Sequence, residues 1–425
     1  MKYWYVLSAI VLCLIVGSSA HLKAQDPAVR GLAIKDGDTV VFYGDSITAL
    51  HLYTRFVEEF TLTRYPTMRV RFVNAGVPGD ATWGGYAGTM QQRVQRDVTA
   101  FHPAMITVML GMNDGGYVSM TPQIDSAFRK GYNDLLDTLT RENPKAALTL
   151  ILPTPYDEIT HGTEFPGYSK TIDAIADDVA ELAAQRKAHS EAPVFIVDFH
   201  HRLAGALSHA ATDFPTLAPL LIPDRIHPGP GAQWIMAAAV MEAWQVDPVV
   251  SDVTITAEDA KVSAAARTKI SDLQKTPTGL RWTQLDEALP LPLDLNDAMT
   301  AVLLKESEIE KLDRQMIRVR GLPAGSYDLW IDRKMIASFS AETLEQGVNL
   351  ALLKTPMLDQ ARGIDWEENR RATLDESRFI LSAETAQQPD PAAAEVRLQA
   401  AENELATTIY KQAAPKSHNF ELRRR

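Results

Sequence analysis

The chain of 425 residues has one cysteine, Cys13, inside a short apolar run from Tyr3 to Gly17. Lys2 precedes the run and the small residues Ser18-Ser19-Ala20 follow it, a pattern that predicts a secretory signal over residues 1–20. The run is shorter than the ~20 residues of a spanning helix, which favours removal; an uncleaved signal anchor is the alternative. Leu12 stands where a lipoprotein signal would carry a small residue, which argues against lipidation. Cleavage would leave no cysteine, and so neither disulfides nor thiolate catalysis; stability must then come from packing. A periplasmic or secreted location is expected, with no stable membrane insertion once the signal is gone.

Positive charge is also scarce. Forty-two Lys and Arg face 54 acids, a net charge of −12, and the basic cluster Arg423-Arg424-Arg425 is confined to the end. This excludes wrapping of nucleic acid. No Walker-type loop or dinucleotide fingerprint follows the first strand. His51, His102, His161 and the pair His200-His201 lack the i, i+4 spacing with a helper glutamate that marks zinc hydrolases. No metal and no cofactor are expected. Hydrophobic residues at 46% and charged residues at 23% are ordinary for a globular chain with a buried core. The length exceeds the ~100 to 200 residues of one domain, so one large and one smaller unit are expected. No repeat of fixed period occurs.

Between residues 39 and 247, short β-branched runs alternate with stretches of helical period. Strands are predicted at Thr39–Tyr43, Arg69–Val73, Ala104–Leu110, Ala147–Leu152 and Val194–Phe199, and helices near 47–64, 84–99, 122–141, 169–189 and 231–245. Val40-Val41-Phe42 and Ile106 to Leu110 are almost continuously apolar, as parallel strands covered on both faces are. The fold class read from this is α/β: a doubly wound, flavodoxin-like parallel sheet of about five strands in three α/β/α layers. Composition shifts after Pro248, which divides a domain at 31–248 from a smaller β-containing region at 249–360. There, Met316–Val319 and Tyr327–Ile331 read as a hairpin around Leu322-Pro323-Ala324-Gly325. Residues 361–384 and 392–412 read as a helical hairpin broken at Pro389-Asp390-Pro391, with the chain closing in a tail at 425. The stretch 385–394 is alternatively a flexible linker.

The first strand runs into Gly44-Asp45-Ser46 at the start of a helix, where unpaired N–H groups favour negative charge. Taken alone, this segment favours Ser46 as a helix cap. Three further loops bear on the choice: Asn74-Ala75-Gly76-Val77-Pro78-Gly79-Asp80, Gly111-Met112-Asn113-Asp114 and Asp224-Arg225-Ile226-His227-Pro228. In an open parallel sheet, loops at the carboxyl ends of strands converge on one crevice. With Val41-Phe42-Tyr43-Gly44-Asp45-Ser46-Ile47-Thr48 first, these four segments in order resemble the motifs of the SGNH (GDSL) hydrolase superfamily over roughly residues 38–247.

The resemblance implies Ser46 as nucleophile, His227 as general base and then acid, and Asp224 as the carboxylate that orients the imidazole. It implies an oxyanion hole of the Ser46 and Gly79 N–H groups and the Asn113 side-chain amide, with Gly76 the alternative to Gly79. The chemistry is coherent by itself: a serine hydroxyl needs a neighbouring base, and imidazole can both remove and return a proton near neutrality. Asp45 and Asp114 are assigned supporting hydrogen bonds. Trp83, Tyr86, Tyr117, Tyr156, Tyr168 and Trp234, in or near these loops, are either loop packing or stacking partners for a sugar or aromatic acyl group.

The expected function is an exported serine esterase acting through an acyl-enzyme on a small acylated substrate, removing acetyl from a carbohydrate or glycoside. A lysophospholipase or thioesterase acting on longer chains is the alternative within enzymes, and a noncatalytic glycan-binding protein the alternative outside them. Packing against the catalytic domain or framing of its cleft is expected of the C-terminal region.

Overall fold

The computed structural model describes residues 32–306, 309–383 and 391–425. The expected signal at 1–20 and Cys13 lie outside the described residues, as does most of the possible linker at 385–394. Among the described residues no helix is long and apolar enough to cross a membrane.

Five strands form the central sheet: β1 (Thr39–Gly44), β2 (Arg71–Gly76), β3 (Met105–Met109), β4 (Ala147–Leu152) and β5 (Val194–Asp198). They are all parallel in the order β2-β1-β3-β4-β5. Val40, Val41, Phe42 and Tyr43 are fully buried, as is all of β3, which is why these strands carry no apolar/polar alternation. The intervening helices are α1 (Ser46–Ala49), α2 (Leu52–Arg64), α3 (Met90–Asp97), α4 (Pro122–Glu142), α5 (Tyr168–His189), α6 (His200–Asp213) and α7 (Pro230–Ala243). α2 and α6 pack on α7, while α4 packs between α3 and α5, giving two helical layers around the sheet. The α/β class and strand number agree with the sequence reading.

Three local differences have physical causes. The helix expected at 47–64 is broken, because His51 adopts a left-handed conformation between α1 and α2. The helix expected from 84 starts only at Met90, capped reciprocally by Thr89 and Gln92. Before it, Gly84–Gly85 and Gly88–Thr89 form a small antiparallel ribbon. α6 lies where the sequence reading placed no helix, although its buried residues Leu203, Ala206, Leu207 and Ala210 fall at i, i+3, i+4 and i+7, a helical spacing carried half by alanine.

Beyond Pro248 the strands are β6 (Val249–Thr256), β7 (Lys261–Ala266), β8 (Thr268–Thr276) and β9 (Gly279–Asp286), followed by helix α8 (Met299–Glu306). Then come β10 (Arg314–Arg320), β11 (Ser326–Ile331), β12 (Lys334–Ser340), helix α9 (Ala341–Gln346), β13 (Val348–Asn349), helices α10 (Pro356–Ala383) and α11 (Pro391–Ala413), and β14 (Ser417–Arg424). They build two sheets, β8-β9-β14-β11-β12 and β13-β10-β6-β7. Trp282, Leu329 and Phe420 of the first share a core with Val253, Ile317 and Val319 of the second.

The hairpin expected from 316 to 331 does not exist. Met316–Val319 lies in β10, which pairs parallel with β6, whereas Tyr327–Ile331 belongs to β11 in the other sheet. The real hairpin is β11–β12, turned by Asp332 and Arg333, both at positive φ. Alternation identifies a strand without naming its partner. The expected helical hairpin is formed by α10 and α11, and both helices contact α2. The final residues are not a tail: β14 is the middle strand of its sheet, paired with β9 and β11.

Candidate active site

Gly44, at the carboxyl end of β1, is in register with Gly76 of β2 and Met109 of β3, so the loops that follow these strands leave the sheet side by side. This is the point at which strand order reverses. Asp45 caps α1, its carboxylate accepting the Ile47 N–H at 2.9 Å. Ser46 is thereby the first residue of the helix, not its cap, and at that position its N–H has no intrahelical acceptor. Gly76 brings the backbones close: a Cβ there would lie 2.3 Å from the Ala49 nitrogen.

Ser46 and His227 are 181 positions apart, yet Ser46 Oγ is 2.8 Å from His227 Nε2. His227 Nδ1 is 2.7 Å from Asp224 Oδ2, and Asp224 Oδ1 accepts the backbone N–H groups of Ile226 and His227 at 3.0 and 2.7 Å. Burial pushes the Asp224 carboxyl up, but these donors outweigh it and hold the group below the usual carboxylate range. An ionised Asp224 keeps the ring proton on Nδ1, which leaves Nε2 to accept from the serine hydroxyl. Arg225, at positive φ, anchors the turn through Gly162 O and Glu164, both at 2.9 Å. The relay is open to solvent: the Asp224 side chain is 57% exposed and that of His227 34%.

Gly79, at φ +75°, lies in the turn closed by Asp80 N–H to Val77 O at 3.1 Å. The Gly76 N–H is occupied by Asn74 Oδ1 at 2.9 Å, which leaves Gly79 as the second-loop donor able to serve a ligand. Asn113 is held at both ends: Nδ2 donates to Asp80 O at 2.9 Å, and Oδ1 accepts from the Tyr117 hydroxyl at 3.2 Å. One amide hydrogen of Asn113 remains for a ligand. Asp114 sits beneath, its Oδ1 accepting the Thr82 N–H at 2.9 Å. Burial raises the Asp45 carboxyl to about 7 and the Asp114 carboxyl to about 6.

One residue of this network had no sequence signal. Arg93, fully buried on α3, donates to Asp80 Oδ2 at 3.0 Å, Ala75 O at 2.9 Å and Asp97 at 2.5 Å, and its guanidinium lies over the Tyr43 ring. It ties the Asp80 turn to the end of β2. An arginine among Gln, Asp and Arg neighbours reads as a solvated helix face, and only tertiary packing makes it internal. Of the aromatic candidates, Tyr117, Tyr156 and Tyr168 form one cluster with Phe165, and Trp234 stacks on Phe56 at 3.9 Å. These pack the loops, and the Tyr117 hydroxyl also holds Asn113. Trp83 and Tyr86, 57% and 71% exposed, flank the ribbon whose Gly85 approaches Gly79 and Asp80.

Residues 42–235 match the model of the GDSL-like lipase/acylhydrolase family. Residues 42–235 thus form an SGNH (GDSL) hydrolase domain within the chain. The protein is an SGNH-type esterase, a hydrolase acting on ester bonds. The chain is similar to an acetylxylan esterase of Geobacillus stearothermophilus, with 25% identity over 233 residues that cover 49% of this chain and 95% of the relative. Its fold is similar to that of a gut microbial diltiazem-metabolizing enzyme at a TM-score of 0.78, covering 92% of this chain and 98% of that one at 24% identity. The fold likeness thus reaches beyond the SGNH domain into the C-terminal sheets.

Proposed function

We propose that the protein is a secreted serine esterase that removes acetyl groups from a carbohydrate or glycoside through an acyl-enzyme. Ser46 Oγ attacks the ester carbonyl while His227 Nε2 takes its proton. Asp224 stabilises the imidazolium that forms, and His227 returns the proton to the departing alcohol. Water, deprotonated by the same imidazole, then hydrolyses the acyl-Ser46 ester and restores the serine. The oxyanion of each tetrahedral intermediate is met by the Ser46 and Gly79 N–H groups and the Asn113 amide, donors fixed beforehand and therefore needing no reorganisation. Asp45 and Asp114 hold the loops that carry them.

The observation that carries this reading is the continuous line from Asp224 Oδ2 through the imidazole to Ser46 Oγ, with contacts of 2.7 and 2.8 Å. The acyl and sugar assignment is supported by the acetylxylan esterase relative, by the openness of the relay and by exposed Trp83 and Tyr86 beside the Gly79 loop. A fluorophosphonate should label the wild type at Ser46 and fail to label a folded Ser46→Ala variant; equal labelling of the two ends the reading.

One feature favours the longer-chain alternative. A groove of about 570 Å³ lies beside β2 from Val70 to Val77, with Phe72, Val73, Phe101 and Tyr410 on its walls together with the charged Arg71, Arg96, Asp97, Arg371 and Glu402. A model-ester series decides: rates falling steeply beyond acetyl support deacetylation, and rates rising to C8 or longer replace it with the longer-chain activity.

A further inference from the structure

The site needs an imidazole on one loop and a hydroxyl on another to stay within hydrogen-bond reach, although the imidazole turn is exposed. One buried side chain spans the two. Gln233, in the first turn of α7, is wholly inaccessible to solvent, and both ends of its amide are used outside its own helix. Oε1 accepts the Tyr53 N–H at 3.0 Å, and Nε2 donates to Pro228 O at 3.2 Å.

One partner adjoins the base and the other is linked to the helix of Ser46. Pro228 follows His227 directly. Tyr53 lies at the start of α2, where His51 is left-handed and supplies no side-chain cap, so its N–H depends on a donated acceptor. The Tyr53 hydroxyl is in turn 2.9 Å from Thr48 Oγ1 on α1, the helix that begins at Ser46. The Thr48 carbonyl accepts Asn74 Nδ2 at 2.7 Å, and Asn74 Oδ1 holds the Gly76 N–H. A hydrogen-bonded path therefore runs from the backbone beside the base, through Gln233 and Tyr53, to the helix of the nucleophile. The far side of the base turn is fixed separately, by Arg225 to Gly162 and Glu164.

We propose that Gln233 is a positioning residue that sets the reach between His227 and Ser46, clamping the base turn to the nucleophile's helices. The proposal rests on the serine-esterase reading. It acts through geometry: a displacement of about 1 Å in a reacting pair costs on the order of 100-fold in rate.

Gln233→Leu removes both bonds. Gln233→Glu keeps size and the acceptor for Tyr53, but an ionised carboxylate opposes the Pro228 carbonyl, whereas a protonated one donates to it and restores the clamp. The measurements are kcat and KM on p-nitrophenyl acetate per active site titrated with fluorophosphonate, across about pH 5 to 10. For Gln233→Leu, kcat should fall about 10- to 100-fold with KM within about threefold. For Gln233→Glu, the ratio of variant to wild-type kcat should rise about tenfold as pH falls from about 10 to about 5, a span that includes the value of about 8 to 9 to which burial can raise a glutamate. A Leu variant within about twofold of wild type per titrated site overturns the proposal. So does a flat ratio for Gln233→Glu, whatever the Leu variant does, and this second variant decides alone if the first does not fold. Failure of the wild type to react with fluorophosphonate would instead reject the esterase reading, so the two failures are distinct.

Discussion

Asn113 makes one donated bond to Asp80 O and accepts one from Tyr117, which aims its remaining N–H without any help from substrate. Loss of one such donor costs about 3 to 4 kcal/mol in the transition state. Asn113→Ala is therefore expected to lower kcat about 100- to 1,000-fold with little change in KM, read by steady-state kinetics on a short-chain ester. Asp45 gives a pH signature of another kind. Burial raises its folded-state carboxyl to about 7, above its unfolded value, so the stability it contributes is full below about pH 4 and is lost as pH rises to about 7. Asparagine can still accept the Ile47 N–H but cannot ionise. Asp45→Asn should gain stability relative to wild type between pH 4 and 7 and keep a constant difference above that, as measured by denaturant unfolding at several pH values. Ser46, Asn113, Asp224 and His227 were legible because each sits in a short ordered motif. Arg93 and Gln233 were not, because their partners lie on other elements and no local pattern marks them.

At the scale of elements, the break between α1 and α2 matters most. A continuous helix over 47–64 was expected; instead a four-residue helix carries Ser46 and packs across Gly44 and Gly76. Gly76→Ala would place a methyl 2.3 Å from the Ala49 nitrogen, where backbone, not a side chain, must yield. Such overpacking costs about 1 to 3 kcal/mol. The variant is expected to melt lower than wild type and to lose activity more than its folded fraction accounts for, because the helix that shifts carries Ser46. The ribbon of Gly84–Gly85 and Gly88–Thr89 presents Trp83 and Tyr86 to solvent. If they stack on sugar, Trp83→Ala raises KM for an acetylated oligosaccharide at least several-fold and leaves p-nitrophenyl acetate hydrolysis unchanged; equal effects on both would assign Trp83 to loop packing. The sequence placed both aromatics near the site but could not separate them from Tyr117, Tyr156, Tyr168 and Trp234, since exposure is set by neighbours.

Across the whole molecule, α2 joins the central parallel sheet to the C-terminal region through buried charge. Arg64 donates to Asp313 Oδ1 at 2.9 Å and to Asp247 O at 2.6 Å, and both ionic side chains are fully buried. Asp313 Oδ2 also accepts the Leu291 N–H at 2.9 Å. Removing one partner of such a pair leaves an uncompensated charge, so Asp313→Ala should destabilise the protein by about 3 to 5 kcal/mol, read as a fall in unfolding midpoint. A chain ending at Pro248 would expose Arg64 and the buried Glu58 and Glu59 of the same helix, and a soluble fragment of full activity and unchanged melting temperature would refute the dependence. By itself the sequence determined the parallel α/β sheet and the residues at its carboxyl rim, because long apolar runs and fixed loop motifs are local in the chain. Only the tertiary structure decided which strands pair beyond Pro248, that the last residues form a central strand, and which buried polar groups steady the rim. Strand partners and internal ion pairs arise between segments up to hundreds of residues apart, and burial in the folded core, not residue type, fixes what each such group contributes.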